Sequence, residues 1–167
     1  MQSRKLIPVL PVPDAGFVPV GPDAAMAITE IHRRSDPPGW SVESWEKQLS
    51  QGSVHCLSHV GVRGLDGFVA VSIAGGEAEV LMIAVDQTAR GAGLGRRLME
   101  YALGHAAMLG ARQCFLEVAA DNQAAKALYA RCGFAETAVR KGYYARPGGY
   151  IDALVMARDL GNGAEAG

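Results

Sequence analysis

The chain has 167 residues, of which 49% are hydrophobic and 20% charged, and its formal net charge is -1. This length is typical of one domain with a substantial core. The lack of a basic block disfavours nucleic-acid binding, and no run approaches the roughly 20 apolar residues of a membrane span. Cys56, Cys114 and Cys132 form no Cys-x-x-Cys pair, which indicates buried thiols and a reducing, cytoplasmic location.

The two ends of the chain differ in composition from its middle. Three prolines among the first 13 residues interrupt regular structure, so we expect residues 1–15 to form a flexible arm. Residues 161–167 are polar and rich in glycine, and we expect them to form a disordered tail. Residues 16–160 then make up a single domain without internal repeats.

The first half of this domain begins with a short predicted strand, Gly16–Val20. A helix follows from Pro22 to about Arg34, since proline suits the first helical turn, and a rigid loop, Asp36–Trp40, comes next. Ser41 is a typical N-cap residue, and it predicts a helix over Val42–Leu49. Three runs rich in β-branched residues are divided by glycine turns and predict an antiparallel meander: Val54–Val60, Gly67–Ala74 and Glu77–Val85.

The second half returns to helices packed on strands. A helical pattern runs to about Leu109, with one apolar stripe made by Leu94, Leu98, Ala102, Ala106 and Leu109. Cys114–Val118 is apolar on both faces and is predicted to be a central strand. Asp121 or Asn122 caps a short helix, Gln123–Cys132. Two last strands, Ala135–Tyr143 and Ile151–Arg158, complete an α/β layered fold, a mixed sheet of about seven strands flanked by four helices.

A glycine-rich turn joins the strand Glu77–Val85 to the long helix. Backbone N–H groups are unpaired at a helix start, and the helix dipole favours an anion there. Glycine at Gly91, Gly93 and Gly95 permits unusual backbone angles and close approach of a ligand. A P-loop is disfavoured because no lysine follows. A dinucleotide fingerprint is disfavoured because a spacer precedes the turn and the third glycine comes one residue early.

The turn and its surroundings resemble a known family. Arg90-Gly-Ala-Gly-Leu-Gly95 resembles the Arg/Gln-x-x-Gly-x-Gly/Ala signature of the GCN5-related N-acetyltransferase (GNAT) superfamily, and Ile83-Ala-Val-Asp86 resembles its fourth strand. Other motifs resemble the RimI-type protein N-terminal (ribosomal-protein alanine) acetyltransferases: Leu116-Glu-Val118, Asn122–Tyr129, Gly133-Phe134, Tyr143-Tyr144 and Asp152–Met156. The resemblance covers about Val18–Leu160 and implies a GNAT fold.

The resemblance also implies a place for acetyl-CoA, in a split between the fourth and fifth strands. It implies that Ile83, Ala84 and Val85 hold the pantetheine through the main chain. The pyrophosphate is expected on a set of turn residues, mostly through backbone N–H groups: Arg90, Gly91, Ala92, Gly93, Leu94, Gly95 and Arg96. Asn122 either contacts the cofactor or serves as a plain N-cap. The acceptor loops of the family correspond to Asp36–Trp40 and Tyr144–Tyr150.

Glu117 stands in an otherwise apolar central strand. Burying an unpaired carboxylate costs several kcal/mol, so it should face a cavity or a partner. Acetylation needs a neutral amine, whereas a free α-amine is largely protonated at pH 7, and a carboxylate near the groove can take that proton. In RimI-type enzymes the matching glutamate is the proposed general base. The alternative is a glutamate whose head is solvated at a strand end.

Tyr129 is the expected partner, because a phenol can donate a proton or hydrogen bond to the departing CoA sulfur. The matching family tyrosine is the proposed general acid, and the alternative is a core tyrosine on an amphipathic helix. The histidines (His32, His55, His59 and His105) lack metal-binding spacing, so we expect structural roles and no metal.

The leading hypothesis is an acetyl-CoA-dependent N-acetyltransferase, a monomer or dimer, that acts on a protein or peptide N-terminus, for instance of a ribosomal protein. Direct attack in a ternary complex is the expected mechanism. Acetylation of a small-molecule amine and a non-catalytic CoA-binding sensor are the alternatives.

Overall fold

The computed structural model describes residues 16–161, and it contains seven strands, four α-helices and two short 3-10 turns. The strands are β1 (Phe17–Val20), β2 (Val54–Gly61), β3 (Gly64–Ala74), β4 (Glu77–Val85), β5 (Gln113–Ala119), β6 (Ala135–Arg146) and β7 (Gly149–Asp159). The helices are α1 (Ala25–Ser35), α2 (Val42–Leu49), α3 (Leu94–Met108) and α4 (Gln123–Arg131), and the 3-10 turns are Pro22–Ala24 and Gln87–Ala89. The predicted arm, residues 1–15, and all but the first residue of the predicted tail, residues 161–167, lie outside the described residues.

One mixed sheet organises the fold, in the order β1-β2-β3-β4-β5-β7-β6. The strands β2, β3 and β4 form the predicted antiparallel meander, and β1 extends it by pairing antiparallel with β2. Among the described strands, β4 and β5 are the only parallel neighbours, and α3 makes the crossover that such a pair requires. The strand β5 lies between β4 and β7, which confirms its central position.

The two sheet faces carry different helices because successive strand residues point to opposite sides. In β3, Phe68 and Ala70 pack with α1 and α2, whereas Val69 and Val71 pack with α3. The inward-facing residues of α1 are buried: Ala25, Ile28 and Ile31. At about 25 cal/mol for each Å² of apolar surface removed from water, these two layers provide the main driving force for folding.

The long helix ends one residue earlier than its pattern suggested. Leu94, Leu98, Ala102 and Ala106 are buried as predicted, but Leu109 is 50% exposed. The prediction for Leu109 was wrong because α3 ends at Met108, and the C-cap residue no longer follows the helical periodicity. Within residues 16–161, no helix is both long and apolar enough to cross a membrane.

Candidate active site

The sheet opens between β4 and β5. These strands pair only at Glu77–Glu79 with Gln113–Phe115, near the start of each strand. On its other side, β4 pairs with β3, but Ala70 lies opposite Met82 while Val71 lies opposite Val80. Leu81 is therefore an extra residue in β4, a β-bulge that bends the strand. Beyond it, residues 80–85 pair with no strand on the β5 side within residues 16–161.

The predicted pantetheine-binding residues Ile83, Ala84 and Val85 form the end of this unpaired edge. The backbone polar groups of an edge are available to an extended ligand that lies beside the strand. The split and its edge therefore match the arrangement that the resemblance implied, while the ligand contacts themselves remain a prediction.

The glycine turn beyond β4 leaves a row of backbone donors unpaired. Gly91 and Gly93 have φ values of +86° and +78°, in the left-handed region, which is disfavoured for residues with a Cβ. Gly93 caps α3 without any side-chain hydrogen bond. Within residues 16–161, the backbone N–H groups of residues 91–96 have no acceptor. Together with the positive end of the helix dipole, they can hold an anion such as a pyrophosphate.

Gly95 has a different role from its two neighbours. It lies in the first turn of α3 and has no positive φ, so the expectation of an unusual backbone angle there was wrong. A Cβ added at Gly95 would lie 3.3 Å from Cδ2 of Leu128 on α4. Gly95 therefore allows α3 to pack closely against α4, because a side chain there would force Leu128 to shift by a few tenths of an ångström. The alternating pattern of glycines in the sequence does not tell which glycine allows a left-handed backbone angle and which allows close packing of two helices.

The polar side chains around the turn already have protein partners. Arg90 donates from Nε to the carbonyl oxygen of Val85 at 3.0 Å, which ties the turn to the end of β4. Arg96 pairs with Glu100 at 3.0 Å along α3. Asn122 accepts a hydrogen bond from the Ala125 N–H at 3.1 Å and so caps α4. Its N-cap role is thus present, and a cofactor contact remains a prediction, as do the roles of Arg90 and Arg96.

Glu117 points away from the core that α3 covers. Its neighbours Leu116 and Val118 are buried in that core, so strand alternation directs Glu117 to the opposite face, where α1 and α2 lie. Those helices pack on the β1–β4 part of the sheet, and the Glu117 side chain is 23% exposed. The carboxylate therefore faces the open half of the sheet, next to the split.

The partly buried carboxylate of Glu117 has a cationic partner, as was expected for a charge in an apolar strand. The Nε of Arg140 on β6 lies 2.8 Å from Oε1 of Glu117 in an ion pair, and the Arg140 side chain is 56% exposed. Solvent screens the exposed guanidinium of this half-buried pair, which keeps its contribution near the range of about 0–1 kcal/mol that surface ion pairs show. The sequence did not predict this contact, because the two residues lie on strands separated by β7.

Tyr129 lies on α4, on the other face of the sheet, with its ring packed edge-on against Phe134. Burial, and to a lesser degree the Tyr144 hydroxyl, raise the pKa of Tyr129 to about 12. Its hydroxyl makes no side-chain hydrogen bond within residues 16–161 and is not enclosed in the core. Tyr129 therefore stays protonated at neutral pH and has a hydrogen bond to offer.

Tyr144 connects these groups. Burial raises the pKa of its hydroxyl, and the negative charges of Glu117 and Asp36 raise it further. Tyr144 thus lies within electrostatic range of Glu117, of Tyr129 and of the α1–α2 loop. The predicted base, the predicted acid and a residue of the first predicted acceptor loop, Asp36, all lie within electrostatic range of this one residue.

Comparisons with known proteins agree with this arrangement. Residues 25–134 match the Acetyltransferase (GNAT) family. The chain is 33% identical over 132 residues to the ribosomal protein bS18-alanine N-acetyltransferase of Escherichia coli strain K12, covering 78% of this chain and 88% of that protein. It is 35% identical over 130 residues to N-alpha-acetyltransferase RimI of Mycobacterium tuberculosis, covering 74% and 77%. The crystal structure of the ribosomal-protein-S18-alanine N-acetyltransferase from Escherichia coli superposes with a TM-score of 0.82 at 27% identity, covering 90% of this chain and 96% of that one.

Proposed function

The chain belongs to the GNAT family of acetyltransferases, and from this premise we propose that it transfers an acetyl group from acetyl-CoA to the N-terminal α-amine of a protein. The observation that carries the proposal is the position of Glu117. A carboxylate on the open face of the sheet, beside a split whose far side has an anion-binding turn, suits deprotonation of an amine next to a bound thioester.

The residues at the split fit acetyl-CoA. The unpaired N–H groups of residues 91–96 suit the pyrophosphate, and the free edge of β4 from Ile83 to Val85 suits the amide-containing pantetheine. Acetyl-CoA supplies an activated thioester carbonyl at the end of this arm. Backbone N–H groups at the end of β4 would stabilise the oxyanion that develops on that carbonyl.

The acid–base roles follow from the two settings. Glu117 accepts the proton of the incoming ammonium, which gives the neutral amine that attacks. Tyr129 donates to the departing sulfur. Its pKa of about 12 exceeds that of an ordinary thiol, about 8.5, which favours a hydrogen bond to the thiolate over complete proton transfer.

The acceptor is proposed from the relatives whose names state an alanine substrate. An alanine-initiated ribosomal protein or a peptide of its N-terminus is the acceptor that these relatives favour, and Tyr144 beside the α1–α2 loop suits contact with its first residues. An acceptor screen of peptides against polyamines and aminoglycosides tests this choice, and a preference for the small amines would overturn it.

The catalytic assignment is tested with two isosteric variants. We expect Glu117→Gln and Tyr129→Phe each to lower kcat on an alanine-initiated peptide, by about 10²-fold for the base, the low end of what general acid–base catalysis contributes. Matched controls are Glu136→Gln, which changes an exposed carboxylate on β6, and Tyr101→Phe on α3. Near-normal turnover in both site variants would refute the assignment. Tight acetyl-CoA binding without thiol release for any amine would instead indicate a sensor.

A further inference from the structure

The ion pair between Glu117 and Arg140 poses a chemical problem for the proposed base. The Nε of Arg140 lies 2.8 Å from Oε1 of Glu117, so a cation already occupies one oxygen of the carboxylate that the acceptor's ammonium is proposed to contact. The pair is nevertheless built from an exposed arginine on the outermost strand of the sheet. The geometry thus combines a carboxylate that is already paired, Glu117, with an exposed guanidinium, Arg140, that has room to move away from it.

We propose that Arg140 occupies, in the absence of acceptor, the place on Glu117 that the acceptor's ammonium takes during the reaction. Binding of the acceptor then exchanges one cation for another on the same carboxylate. This inference rests on the proposed function, because it assumes that Glu117 receives the acceptor amine. Arg140 is a positioning and specificity residue in this scheme, since it acts on the reaction only through Glu117.

Exchange is favoured over joint binding for two reasons. An ammonium and a guanidinium on one carboxylate would lie close enough to repel each other in a partly buried setting. The Arg140 guanidinium also lies 5.6 Å from the ring centroid of Tyr143, which is half exposed. A cation–π contact with this ring gives the displaced guanidinium a second partner, so that leaving Glu117 costs little.

The exchange discriminates between acceptors by charge. An ammonium can replace the guanidinium because it restores the charge balance at Glu117. A neutral hydroxyl group brings no charge and cannot displace Arg140, so alcohols are kept from the base. The device therefore selects amines that arrive protonated, which is the ordinary state of a protein N-terminus at pH 7.

The test removes the competing cation. Arg140→Met should tighten binding of an alanine-initiated peptide to the CoA-loaded enzyme by about two- to five-fold in calorimetry at low salt, the range that an exposed ion pair allows. The acceptor KM should fall by the same factor, while kcat and the acetyl-CoA KM stay within two-fold. Arg140→Lys keeps the competing charge and should bind the peptide like the wild type.

The control is Lys141→Met. It removes the same charge one residue further along β6, where Lys141 pairs with Asp152 at 3.4 Å instead of with Glu117, and it should change peptide binding less than 1.5-fold. The gain from Arg140→Met should also vanish in a Glu117→Gln background. Arg140→Gln provides a second neutral variant if the methionine variant folds poorly.

Three results would overturn the exchange: peptide binding that is unchanged, weakened or unmeasurable in the Arg140→Met protein, a gain that persists without the Glu117 carboxylate, or an equal gain from Lys141→Met. These results are separate from failure of the proposed function. The proposed function would be refuted by a wild-type enzyme that acetylates none of the peptides. If peptide binding by the wild type and the variants still followed the expected pattern, the cation exchange would stand.

Discussion

Gly95 leaves little room for a side chain beside Leu128: a Cβ placed on Gly95 would lie 3.3 Å from Cδ2 of Leu128 and 3.8 Å from Cγ2 of Val85. Val85 ends β4, Gly95 lies in the first turn of α3, and Leu128 precedes Tyr129 on α4. The proposed anion-binding turn and the helix that carries the proposed acid therefore pack against each other at Gly95.

We expect Gly95→Val to disturb both groups. A β-branched side chain there overpacks the contact, which costs about 1–3 kcal/mol of stability, and it pushes α4 and Tyr129 away from the split. The free energy of unfolding, measured with denaturant, and kcat should both fall. Leu128→Ala in the same chain makes room and should recover part of each loss, so the two substitutions should be clearly non-additive. Strict additivity would show that Gly95 does not act through Leu128.

The glycine turn makes a prediction about binding that can be separated from stability. Gly93→Ala forces an alanine into the left-handed region at φ +78° and should cost about 1–2 kcal/mol. Gly75→Ala places the same strain in the β3–β4 turn, at φ +59°, and a Cβ has open space at both positions. Both proteins should lose similar stability, but only Gly93→Ala should raise the acetyl-CoA KM several-fold. An equal KM in the two variants would count against the anion-binding role of the turn.

His32 makes stability depend on pH. Its ring is 1% exposed, and Nδ1 accepts hydrogen bonds from the Trp45 indole N–H at 3.1 Å and from the Trp40 backbone N–H at 3.2 Å. Burial lowers the pKa of His32, partly offset by Asp36. The folded state therefore binds this proton less readily than the unfolded chain, whose histidine pKa is about 6.5. The contribution of neutral His32 to the free energy of unfolding is therefore fully present above pH 6.5, and it is lost as the pH falls below that value.

Each such histidine adds a slope of at most about 1.4 kcal/mol per pH unit to the free energy of unfolding. His55 and His105 also have lowered pKa values, because both are partly buried. Urea unfolding between pH 5 and 7.5 should therefore show falling stability towards acid. His32→Leu should flatten this curve and lower the stability at pH 7.5 by about 1–3 kcal/mol, because the Trp45 indole loses its acceptor. An unchanged slope would disprove the linkage.

The three cysteines should be unreactive in the folded protein. Burial raises the pKa of Cys56 and of Cys114 to about 12, and it also raises the pKa of Cys132. The thiolate is the reactive form, so a thiol reagent at pH 8 should label the native protein slowly. In denaturant the same reagent should label all three cysteines rapidly. Rapid labelling of a native cysteine would contradict this burial.

Local patterns predicted most of the fold. The bounds of α2 and β4 coincide with the predicted ones, because a serine cap and glycine turns mark the ends of those elements. The buried stripe of α3 followed from helical periodicity, and the meander followed from β-branched runs. These features depend on interactions within a few residues of each other, which a single sequence records directly.

The rest depends on register between distant segments. Glu117 lies opposite Val155 on β7, and Val155 lies opposite Ala138 on β6. Arg140, two residues further along, shares that face and reaches Glu117 diagonally across β7. Register shifts in β6 set this alignment, and no spacing in the sequence marks them. The sequence does not mark the bulge at Leu81 either, because a leucine is equally compatible with a regular strand.

The three residue pairs that join β4 to β5 make the sheet two leaves with a hinge at one end. The proposed base belongs to the second leaf, and the edge proposed for the pantetheine belongs to the first. A small opening angle at residues 77–79 is enlarged towards the far end of the split, where the reacting atoms would meet. Side chains around residues 77–79 and 113–115 therefore help to determine the angle between the two leaves, and with it the width of the split at the end where the reacting atoms would meet.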